Sequence, residues 1–264
     1  MKNYRYLIFI FFSLVLAGCR TSGQAVSVTL VQYNVGVFDK YEGSGFEAAA
    51  NVVKELQADV VSLNEVDSCA MRTGSVDQIT EFADVLGGWN KFYASAMPFN
   101  GGAYGVGVVS NPKLKIVRTD KVELPRLNGR EPRAVSVVEF EDFVFASTHL
   151  DLTLESQLGQ IEALNQYVDS LYAACGKPVF IGGDFNAFPD SKPIELMKET
   201  WTLLTPVTNS FPSHAPDRCI DYIFVRPNGR KVKVESTDIP VSIQTADLAT
   251  ASDHLPVVLK VVIE

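Results

Sequence analysis

The sequence predicts an α/β protein in which two β-sheets pack face to face and helices cover their outer surfaces. Three observations support this fold class. Ten short runs are rich in Val, Ile and Phe, and several are apolar on both faces, as buried strands are. Other segments carry apolar residues every three or four positions, the spacing of amphipathic helices. No Pro- or Gly-rich linker and no repeat interrupts residues 26–264, which predicts one domain over that range.

The predicted strands account for much of the chain after residue 25. Because several of them carry Asp, Asn, Glu or His at or near an end, these polar residues are expected at the edge of a sheet, facing a cleft. The strands are Val26–Val35, Asp59–Val66, Tyr104–Ser110, Lys115–Leu124, Arg133–Phe140, Phe143–Asp151, Pro178–Asp184, Cys219–Val225, Lys231–Ser236 and Leu255–Ile263.

Helical spacing appears in segments between the strands. Phe46–Gln57 and Val76–Leu86 are two of them, and Lys192–Thr200 is a shorter one with a proline in its first turn. Glu155–Ala174 shows the spacing most clearly. Its predicted apolar stripe is Leu158, Ile161, Leu164, Val168 and Leu171.

The first 18 residues resemble a signal peptide. Lys2 and Arg5 give a positive start, and the apolar run Tyr6–Ala17 is too short to span a bilayer, which takes about 20 residues. The run ends in Leu-Ala-Gly-Cys, which resembles the lipobox of bacterial lipoproteins. Cleavage there would leave Cys19 as the lipidated start of a polar tether, residues 19–25. An ordinary signal peptide followed by a chance cysteine is the alternative.

The charge of the chain argues against nucleic acid as the main substrate. The formal net charge is −8, and residues 1–18 hold two cations and no anion, so the mature chain carries −8 − 2 = −10. A protein that binds DNA nonspecifically usually shows a basic face. A local basic stripe could still exist, although its members alternate with apolar residues as on a solvated strand. The candidates are Lys113, Lys115, Arg118 and Lys121, or Arg226, Arg230, Lys231 and Lys233.

Three cysteines follow Cys19, an odd number that cannot pair completely, and their spacing fits no zinc motif. Cys175 ends a predicted helix and Cys219 enters a predicted strand. Both are expected to be small buried hydrophobic residues.

Two motifs place carboxylates where they could do chemistry. Glu65 follows an apolar run, and a carboxylate at the end of a buried strand is costly unless it is paired or binds a cation such as Mg²⁺. Asp184 and Asn186 are two residues apart, so on an extended chain they face the same side and could orient a water molecule. The alternatives are a solvated glutamate and a Gly-Asp-x-Asn turn.

The chain has three histidines, and two of them end or follow apolar runs beside an aspartate. Asp151 lies two residues after His149, and Asp253 directly precedes His254. This setting favours catalytic or phosphate-binding roles over a core histidine. His214 lies in a Pro-rich loop and is expected to be structural or to face the substrate.

The motifs Gly183-Asp184-Phe185-Asn186 and Ser252-Asp253-His254 resemble those of the endonuclease/exonuclease/phosphatase superfamily, the deoxyribonuclease I-like proteins. The resemblance runs from about Val28 to Val261. It implies a four-layer α/β sandwich, with two mixed sheets packed face to face and helices outside. It also implies hydrolysis of a phosphoester with Mg²⁺, or Mn²⁺, as the cofactor.

The resemblance further implies a role for each matching position. Metal binding is implied for Asn34, Glu65 and Asp253, and catalysis for His149, Asp184, Asn186, Asp221 and His254. In these roles Asp184 orients or deprotonates the water that Asn186 positions, and Asp221 fixes the tautomer of His254. His149 stabilises the transition state or protonates the leaving group. Arg133 and Tyr104 are implied to bind the substrate.

At two places the sequence departs from the pattern of a known subfamily, which argues against membership in that subfamily. Gly36 stands where the apurinic endonucleases carry an acidic residue, and the segment 215–221 only loosely matches the signature of the inositol-polyphosphate 5-phosphatases. We therefore expect a Mg²⁺-dependent phosphoesterase or phosphodiesterase, monomeric and held on the bacterial cell envelope, at the outer membrane, by its lipid anchor. Its substrate would be a phosphorylated small molecule, a lipid headgroup or a nucleic acid. The alternatives are a secreted or periplasmic nuclease and an inactive binding module on the same fold.

Overall fold

The structure, a computed structural model, describes residues 25–264 and contains two six-stranded β-sheets. The first sheet has the order β11-β12-β1-β2-β4-β3 and the second β5-β6-β7-β8-β10-β9. The strands of the first sheet are β1 (Val26–Asn34), β2 (Val60–Ser68), β3 (Asn90–Phe99), β4 (Gly102–Ser110), β11 (Val232–Asp238) and β12 (Val257–Ile263). Those of the second are β5 (Ile116–Leu124), β6 (Arg133–Phe140), β7 (Val144–His149), β8 (Val179–Asp184), β9 (Thr202–Leu203) and β10 (Asp221–Arg226).

Both sheets are mixed. In each, one central pair is parallel, β1 with β2 and β7 with β8, and the remaining pairs are antiparallel. The helices are α1 (Phe46–Glu55), α2 (Gln78–Val85), α3 (Leu154–Tyr172), α4 (Lys192–Thr200) and α5 (Leu248–Ala251). Short 3₁₀ helices span Gly36–Phe38 and Met71–Thr73.

The core confirms the predicted layers. One apolar cluster joins the first sheet to α1 and α2 and continues between the sheets, where it includes Phe145, Phe180 and Ile223. A second cluster joins the other face of the second sheet to α3 and α4 through residues such as Ile161 and Met197. The order helix, sheet, sheet, helix is the predicted four-layer α/β sandwich, and each layer is held by apolar burial.

A polar seam crosses the apolar layer between the sheets. Ser62 Oγ donates to Ser147 Oγ at 3.0 Å, and Asn64 Nδ2 donates to the carbonyl of Thr148 at 2.7 Å. A Cβ on Gly182 would lie 3.1 Å from the Ser62 side chain, so the glycine permits this close approach. Buried polar groups need partners, and this pairing fixes how one sheet is placed on the other.

Some elements differ from the sequence prediction. The edge strand β3 was not predicted, because its residues include Pro98 and are mostly half-buried rather than alternating cleanly. The short elements β9 and α5 were also missed. Leu171 was predicted on the buried stripe of α3, but it is 38% exposed and Tyr172 is buried instead. Tyr172 lies four residues after Val168, whereas Leu171 lies three after it, and at this end of the helix only the four-residue step keeps to the buried face.

The cysteines follow the prediction in part. Cys219 is buried in the second core cluster, whereas Cys175 is half-buried against the same cluster. Cys69 is exposed, and both Cys69 and Cys219 are free thiols. The predicted signal peptide, Cys19 and nearly all of the predicted tether lie outside the described residues. Within residues 25–264, no helix has the length and apolar character needed to cross a membrane.

Candidate active site

Three strands of the second sheet bring acidic and imidazole side chains to one edge. β7 ends at His149, β8 ends at Asp184 and β10 begins at Asp221. In the strand registers Asp184 lies opposite His149 on one side and opposite Asp221 on the other. The three residues therefore form a row across the sheet, although they come from separate parts of the chain.

The first sheet meets this row through Asn34, the last residue of β1. Its buried Nδ2 donates to Oε1 of Glu65 at 3.1 Å and to Oδ2 of Asp184 at 3.2 Å. The same nitrogen lies 3.4 Å from Nε2 of His254, and the amide of Gly36 donates to Oδ1 of Asn34 at 3.1 Å. Asn34 thus joins both sheets and the C-terminal segment in one hydrogen-bond network.

A cleft of about 320 Å³ opens above this network. Eight of the ten predicted site residues in this region line it: Glu65, Tyr104, Arg133, His149, Asp184, Asn186, Asp253 and His254. The other two, Asn34 and Asp221, are buried and hydrogen-bond to residues that line it. The structure therefore brings all ten together, while Cys19 lies outside the described residues.

Glu65 reaches the cleft through a β-bulge. The prediction placed it at the end of a strand, but β2 continues to Ser68, and the register with β4 shifts between Leu63 and Val66. Glu65 has φ +55°, a left-handed conformation that is rare for residues other than glycine, Asn and Asp. Bulges re-aim side chains and are common beside active sites, so this strained residue marks a position at which the direction of the carboxylate matters.

His254 and Asp221 form a buried pair. Nδ1 of His254 donates to Oδ2 of Asp221 at 2.8 Å. Ser210 Oγ donates to the same oxygen at 2.6 Å, and Gln32 Nε2 lies 3.4 Å from Oδ1. The ring of Phe211 packs on the imidazole with centroids 4.5 Å apart. The imidazole is thereby held in one orientation, with Nε2 directed at Asp184 and the cleft.

Opposing effects set the pKa of His254. Burial by itself lowers it, but the charge and hydrogen bond of Asp221, with Asp184 adding to them, raise the pKa from 6.5 to about 9. His254 is therefore an imidazolium at neutral pH. Because its pKa in the folded protein exceeds that of the unfolded chain, the pair stabilises the fold fully below about pH 6.5, and this contribution is lost as the pH rises through about 9.

Replacing Asp221 by asparagine is expected to lower the pKa of His254 by about 1 to 3 pH units, because the variant removes the opposing charge. The chain has only three histidines, so the Cε1–H signals of tag-free, EDTA-treated protein can be followed by NMR across a pH titration. The exposed His214 lies outside the cleft and serves as an internal reference signal. An unchanged His254 midpoint in D221N would show that Asp221 does not set its charge.

The environment of Asp184 favours its neutral form. Burial, followed by the charge of Asp221, raises the pKa of Asp184 to about 7, while His254 and the amide of Asn186 act in the opposite direction. That amide donates to Oδ1 at 2.9 Å, and Asn64 Oδ1 accepts from the Asp184 amide at 2.9 Å. A fixed carboxylate that titrates near neutral pH is suited to accept a proton from water.

Asn186 lies in the cleft for a different reason from the one predicted. β8 ends at Asp184, and Asn186 has φ +48°, so the strand alternation does not extend to it. Its Nδ2 donates to the carbonyl of Leu150 at 3.1 Å, and Gln157 Nε2 donates to its carbonyl at 2.9 Å. The side-chain amino group is thus occupied, which leaves Oδ1 to accept a hydrogen bond from a water molecule.

His149 differs from His254 in charge. Burial, together with the charges of Arg133 and His254, holds the pKa of His149 well below 6.5. Its Nε2 lies 3.6 Å from Oδ2 of Asp184, and its buried Nδ1 has no hydrogen-bond partner among residues 25–264. At neutral pH His149 is a neutral imidazole that can donate one hydrogen bond, whereas His254 carries the positive charge.

Arg133 and Tyr104 line the cleft together with Glu131. Arg133 begins β6, and its Nη2 lies 3.3 Å from Oε2 of Glu131 and within hydrogen-bond reach of Tyr104. Burial, followed by the charge of Glu65, raises the pKa of Tyr104 well above 10, so its hydroxyl stays protonated. These three side chains offer a cation, a hydroxyl and a carboxylate to a ligand.

The sequence profile of the Endonuclease/Exonuclease/phosphatase family matches residues 31–254. The chain belongs to the endonuclease/exonuclease/phosphatase family. Members of this family are phosphoester hydrolases.

Solved structures show the same fold. An endonuclease/exonuclease/phosphatase from Bacteroides vulgatus superposes with a TM-score of 0.75 at 17% identity, over 90% of this chain and 100% of that one. A mannosyl-6-phosphatase from Bacteroides thetaiotaomicron gives 0.73 at 18% identity over 89% and 99%. ANGEL2, a 2′,3′-cyclic phosphatase, gives 0.70 at 16% identity over 90% and 95%. No curated protein sequence matches the chain.

The endonuclease/exonuclease/phosphatase family is metal-dependent, and two groups of side chains could hold a cation by position. In the first, Asp184, Asp221 and His254 offer ligand atoms within 4.8 Å of one another. The His254 imidazolium already supplies a positive charge there, and the oxygens of Asp221 accept from Ser210 and Gln32. The imidazolium therefore balances the charge of one of the two carboxylates without a metal.

The second group is Glu65, Asn34 and Asp253, which line or underlie the cleft beside the first group. Its two carboxylates offer oxygens, the ligands that Mg²⁺ and Mn²⁺ prefer. Asn34 presents Nδ2 to Glu65, so it would offer an oxygen to a metal only with its side-chain amide turned over. Oδ1 of Asp253 is buried and has no hydrogen-bond partner in the described part of the chain, which is costly unless a cation compensates. These residues fit a divalent cation better than the first group does.

Several residues of the site were not predicted as members. Ser210 and Gln32 hold Asp221, and Asn64 holds Asp184. Asn64 stands in one of the polar motifs at a strand end, which was an available signal, but nothing in the sequence marks Ser210.

Lys40 is another unpredicted residue of the site, and the sequence gives no signal for it. Its Nζ lies 2.9 Å from Oδ2 of Asp253. Burial would lower the pKa of Lys40, but the hydrogen bond and charge of Asp253, followed by the charge of Glu65, raise it above its usual value. An ammonium group therefore lies within reach of two of the proposed metal-binding carboxylates.

Proposed function

We propose that the protein is a Mg²⁺-dependent phosphoesterase that hydrolyses a phosphoester by in-line attack of a water molecule. The observation that carries this proposal is an imidazolium held in place beside a carboxylate that titrates near neutral pH, both in one cleft. His254 is held as a cation by Asp221, and Asp184, 3.7 Å from Nε2 of His254, is a carboxylate that titrates near neutral pH. A phosphate between them would meet a fixed positive charge beside a group that can accept a proton.

The residues of this chain have separate roles in the proposed reaction. Asp184 orients the attacking water and accepts its proton, while Oδ1 of Asn186 accepts a hydrogen bond from the same water. The His254 imidazolium donates from Nε2 to a nonbridging oxygen of the phosphate. His149 is neutral, so it stabilises the transition state by donating a hydrogen bond. The leaving-group oxygen takes its proton from solvent water, and Asp184 returns to solvent the proton that it accepted.

Metal and substrate binding complete the proposed site. Mg²⁺ held by Glu65 and Asn34, with Asp253 beside it, would neutralise charge on the phosphate oxygens. Arg133 and the hydroxyl of Tyr104 would contact the substrate. The carboxylate of Glu131, which lines the same cleft, suits a substrate with hydroxyl groups to donate, such as a sugar or polyol phosphate.

The surface argues against nucleic acid as the substrate. Six of the eight cations considered as basic stripes form ion pairs with acidic side chains: Lys113 with Asp59, Lys115 with Glu141, Arg118 with Asp120, Lys121 with Glu123, Arg226 with Asp169 and Lys231 with Glu264. These paired cations offer little net positive field to a phosphate backbone. A phosphorylated small molecule or lipid headgroup is therefore favoured, as is consistent with the mannosyl-6-phosphatase among the structural neighbours.

An activity screen of the soluble form starting at Thr21 tests the proposal. It covers sugar phosphates including mannose 6-phosphate, inositol phosphates, phospholipids, bis-p-nitrophenyl phosphate and plasmid DNA, each with Mg²⁺ and with EDTA. The control is D184N, which keeps the shape of the side chain but loses the proton acceptor. Mg²⁺-dependent release of phosphate or alcohol that D184N abolishes supports the proposal. Activity confined to plasmid DNA would identify a nuclease, and no activity on any substrate would favour a binding module.

We also propose that Cys19 is lipidated and holds the enzyme on the cell envelope, at the outer membrane. Cys19→Ser removes the thiol that would carry the lipid, so the protein is expected to leave the membrane fraction or to keep its signal peptide. Fractionation followed by immunoblotting, together with the mass of the N-terminal peptide, measures both outcomes. Cys69→Ser, which removes an exposed thiol outside the leader, is the matched control. Identical fractionation of wild type and C19S would contradict the anchor.

A further inference from the structure

Lys40 pairs with a carboxylate of the metal site. Its Nζ lies 2.9 Å from Oδ2 of Asp253, and its side chain lines the cleft together with Glu65. The pair is formed between residues that are distant in sequence, one after the first 3₁₀ helix and one before β12. One oxygen of Asp253 is thereby occupied, while its Oδ1 remains buried without a partner among residues 25–264.

Gly36 provides the room for this arrangement. A Cβ at this position would lie 3.1 Å from Oδ1 of Asp253 and 3.2 Å from Cβ of Lys40. Gly36 also has φ +50°, which glycine adopts without strain. The Lys40 side chain thus packs over a position that carries no side chain, and a larger residue at 36 would displace it from Asp253.

We propose that the Lys40 ammonium takes the place beside Asp253 that a second divalent cation would otherwise occupy, so that the site binds a single metal ion at Glu65 and Asn34. This inference rests on the proposed metal-dependent function. An ammonium bound to Asp253 in the cleft that Glu65 also lines neutralises one carboxylate and repels a further cation at close range. Without the Lys40 ammonium, the carboxylates of Glu65 and Asp253 would have no cation between them. Oδ1 of Asp253 is buried and has no hydrogen-bond partner among residues 25–264.

Metal stoichiometry tests the inference without relying on activity. Metal-free wild type and K40M are titrated with Mn²⁺ by calorimetry, and the free ion is measured by electron paramagnetic resonance. Methionine preserves the length of the side chain and removes its charge. We expect one bound ion in wild type and two in K40M. K40R keeps a cation at the position and is expected to bind one ion, and K40M/D253N should return to one because the second site loses its carboxylate.

The outcomes separate the inference from the function it rests on. Two ions in wild type, or one ion in K40M with the affinity of wild type, would overturn the role of Lys40 and leave the metal-dependent function standing. Absence of Mn²⁺ binding in wild type would overturn both. Circular dichroism melting curves of each variant show that a changed stoichiometry does not come from unfolding, and the partly exposed Lys40 side chain makes loss of the fold by K40M unexpected.

Discussion

Replacing Glu65 by alanine is expected to abolish Mg²⁺ binding and to reduce Mg²⁺-dependent hydrolysis to background, while the protein remains folded. Glu65 is the proposed metal ligand that a β-bulge turns into the cleft, and its Oε1 accepts from Asn34 at 3.1 Å. No other carboxylate of the proposed metal site can take its place, because Asp253 lies against Lys40. A partly exposed glutamate with only a structural role would change stability by a few tenths of a kcal/mol and activity hardly at all.

Calorimetric titration of metal-free protein with Mg²⁺ measures this effect directly. Glu131→Ala is the matched control, because Glu131 is a second glutamate that lines the same cleft but pairs with Arg133. E131A is expected to bind Mg²⁺ with the affinity of wild type. If E65A also kept the affinity of wild type, the assignment of Glu65 as the metal ligand would be wrong.

A second large loss of activity is expected when either member of the His254–Asp221 pair is replaced. His254→Ala and Asp221→Asn should each lower kcat by about 10² to 10⁴ if the imidazolium acts on the phosphate. The double variant should be little worse than H254A. The reason is that Asp221 acts only through the imidazole, to which it is hydrogen-bonded at 2.8 Å, so its effect disappears once the imidazole is gone.

A double-mutant cycle on kcat, measured at saturating substrate and Mg²⁺, tests this coupling. His214→Ala is the control for the loss of an imidazole, because His214 is exposed and does not line the cleft. It should leave kcat unchanged. Losses that multiply in the double variant would mean that the two residues act independently, in which case Asp221 would serve the metal or the fold instead.

Much of the fold could be predicted because buried apolar residues recur in the sequence with the period of the strand or helix that contains them. Arg133–Phe140 and Lys192–Thr200 have the predicted bounds, since apolar residues in a buried strand or on one helix face follow the geometry of that element. The strand β3 escaped prediction because an edge strand is only partly buried and need not alternate. The sequence predicted Ile161, Leu164 and Val168 on the buried side of α3. The prediction fails at both ends of the stripe, where Leu158 is only half-buried and Tyr172 is buried in place of Leu171.

The chemical identity of the site was also present in the sequence. Polar residues that end apolar runs lie at a sheet edge, and this placed His149 and Asp184 in the cleft and Asn34 directly beneath it. Asn186 was found from its two-residue spacing with Asp184, but for a wrong local reason, since it lies beyond the strand in a left-handed conformation.

The sequence by itself determined the elements and the residue types at their ends, because both depend on neighbours within a few positions. Only the tertiary structure decided which of those residues lie close enough to exchange a proton or to shift one another's pKa. The bulge that turns Glu65 depends on how β2 pairs with β4, and the pKa of His254 depends on the register between β8 and β10. The contact of Lys40 with Asp253 joins opposite ends of the chain, and no local pattern records it. Electrostatic coupling falls with distance in space rather than in sequence, so it could be assigned only after both sheets were in place.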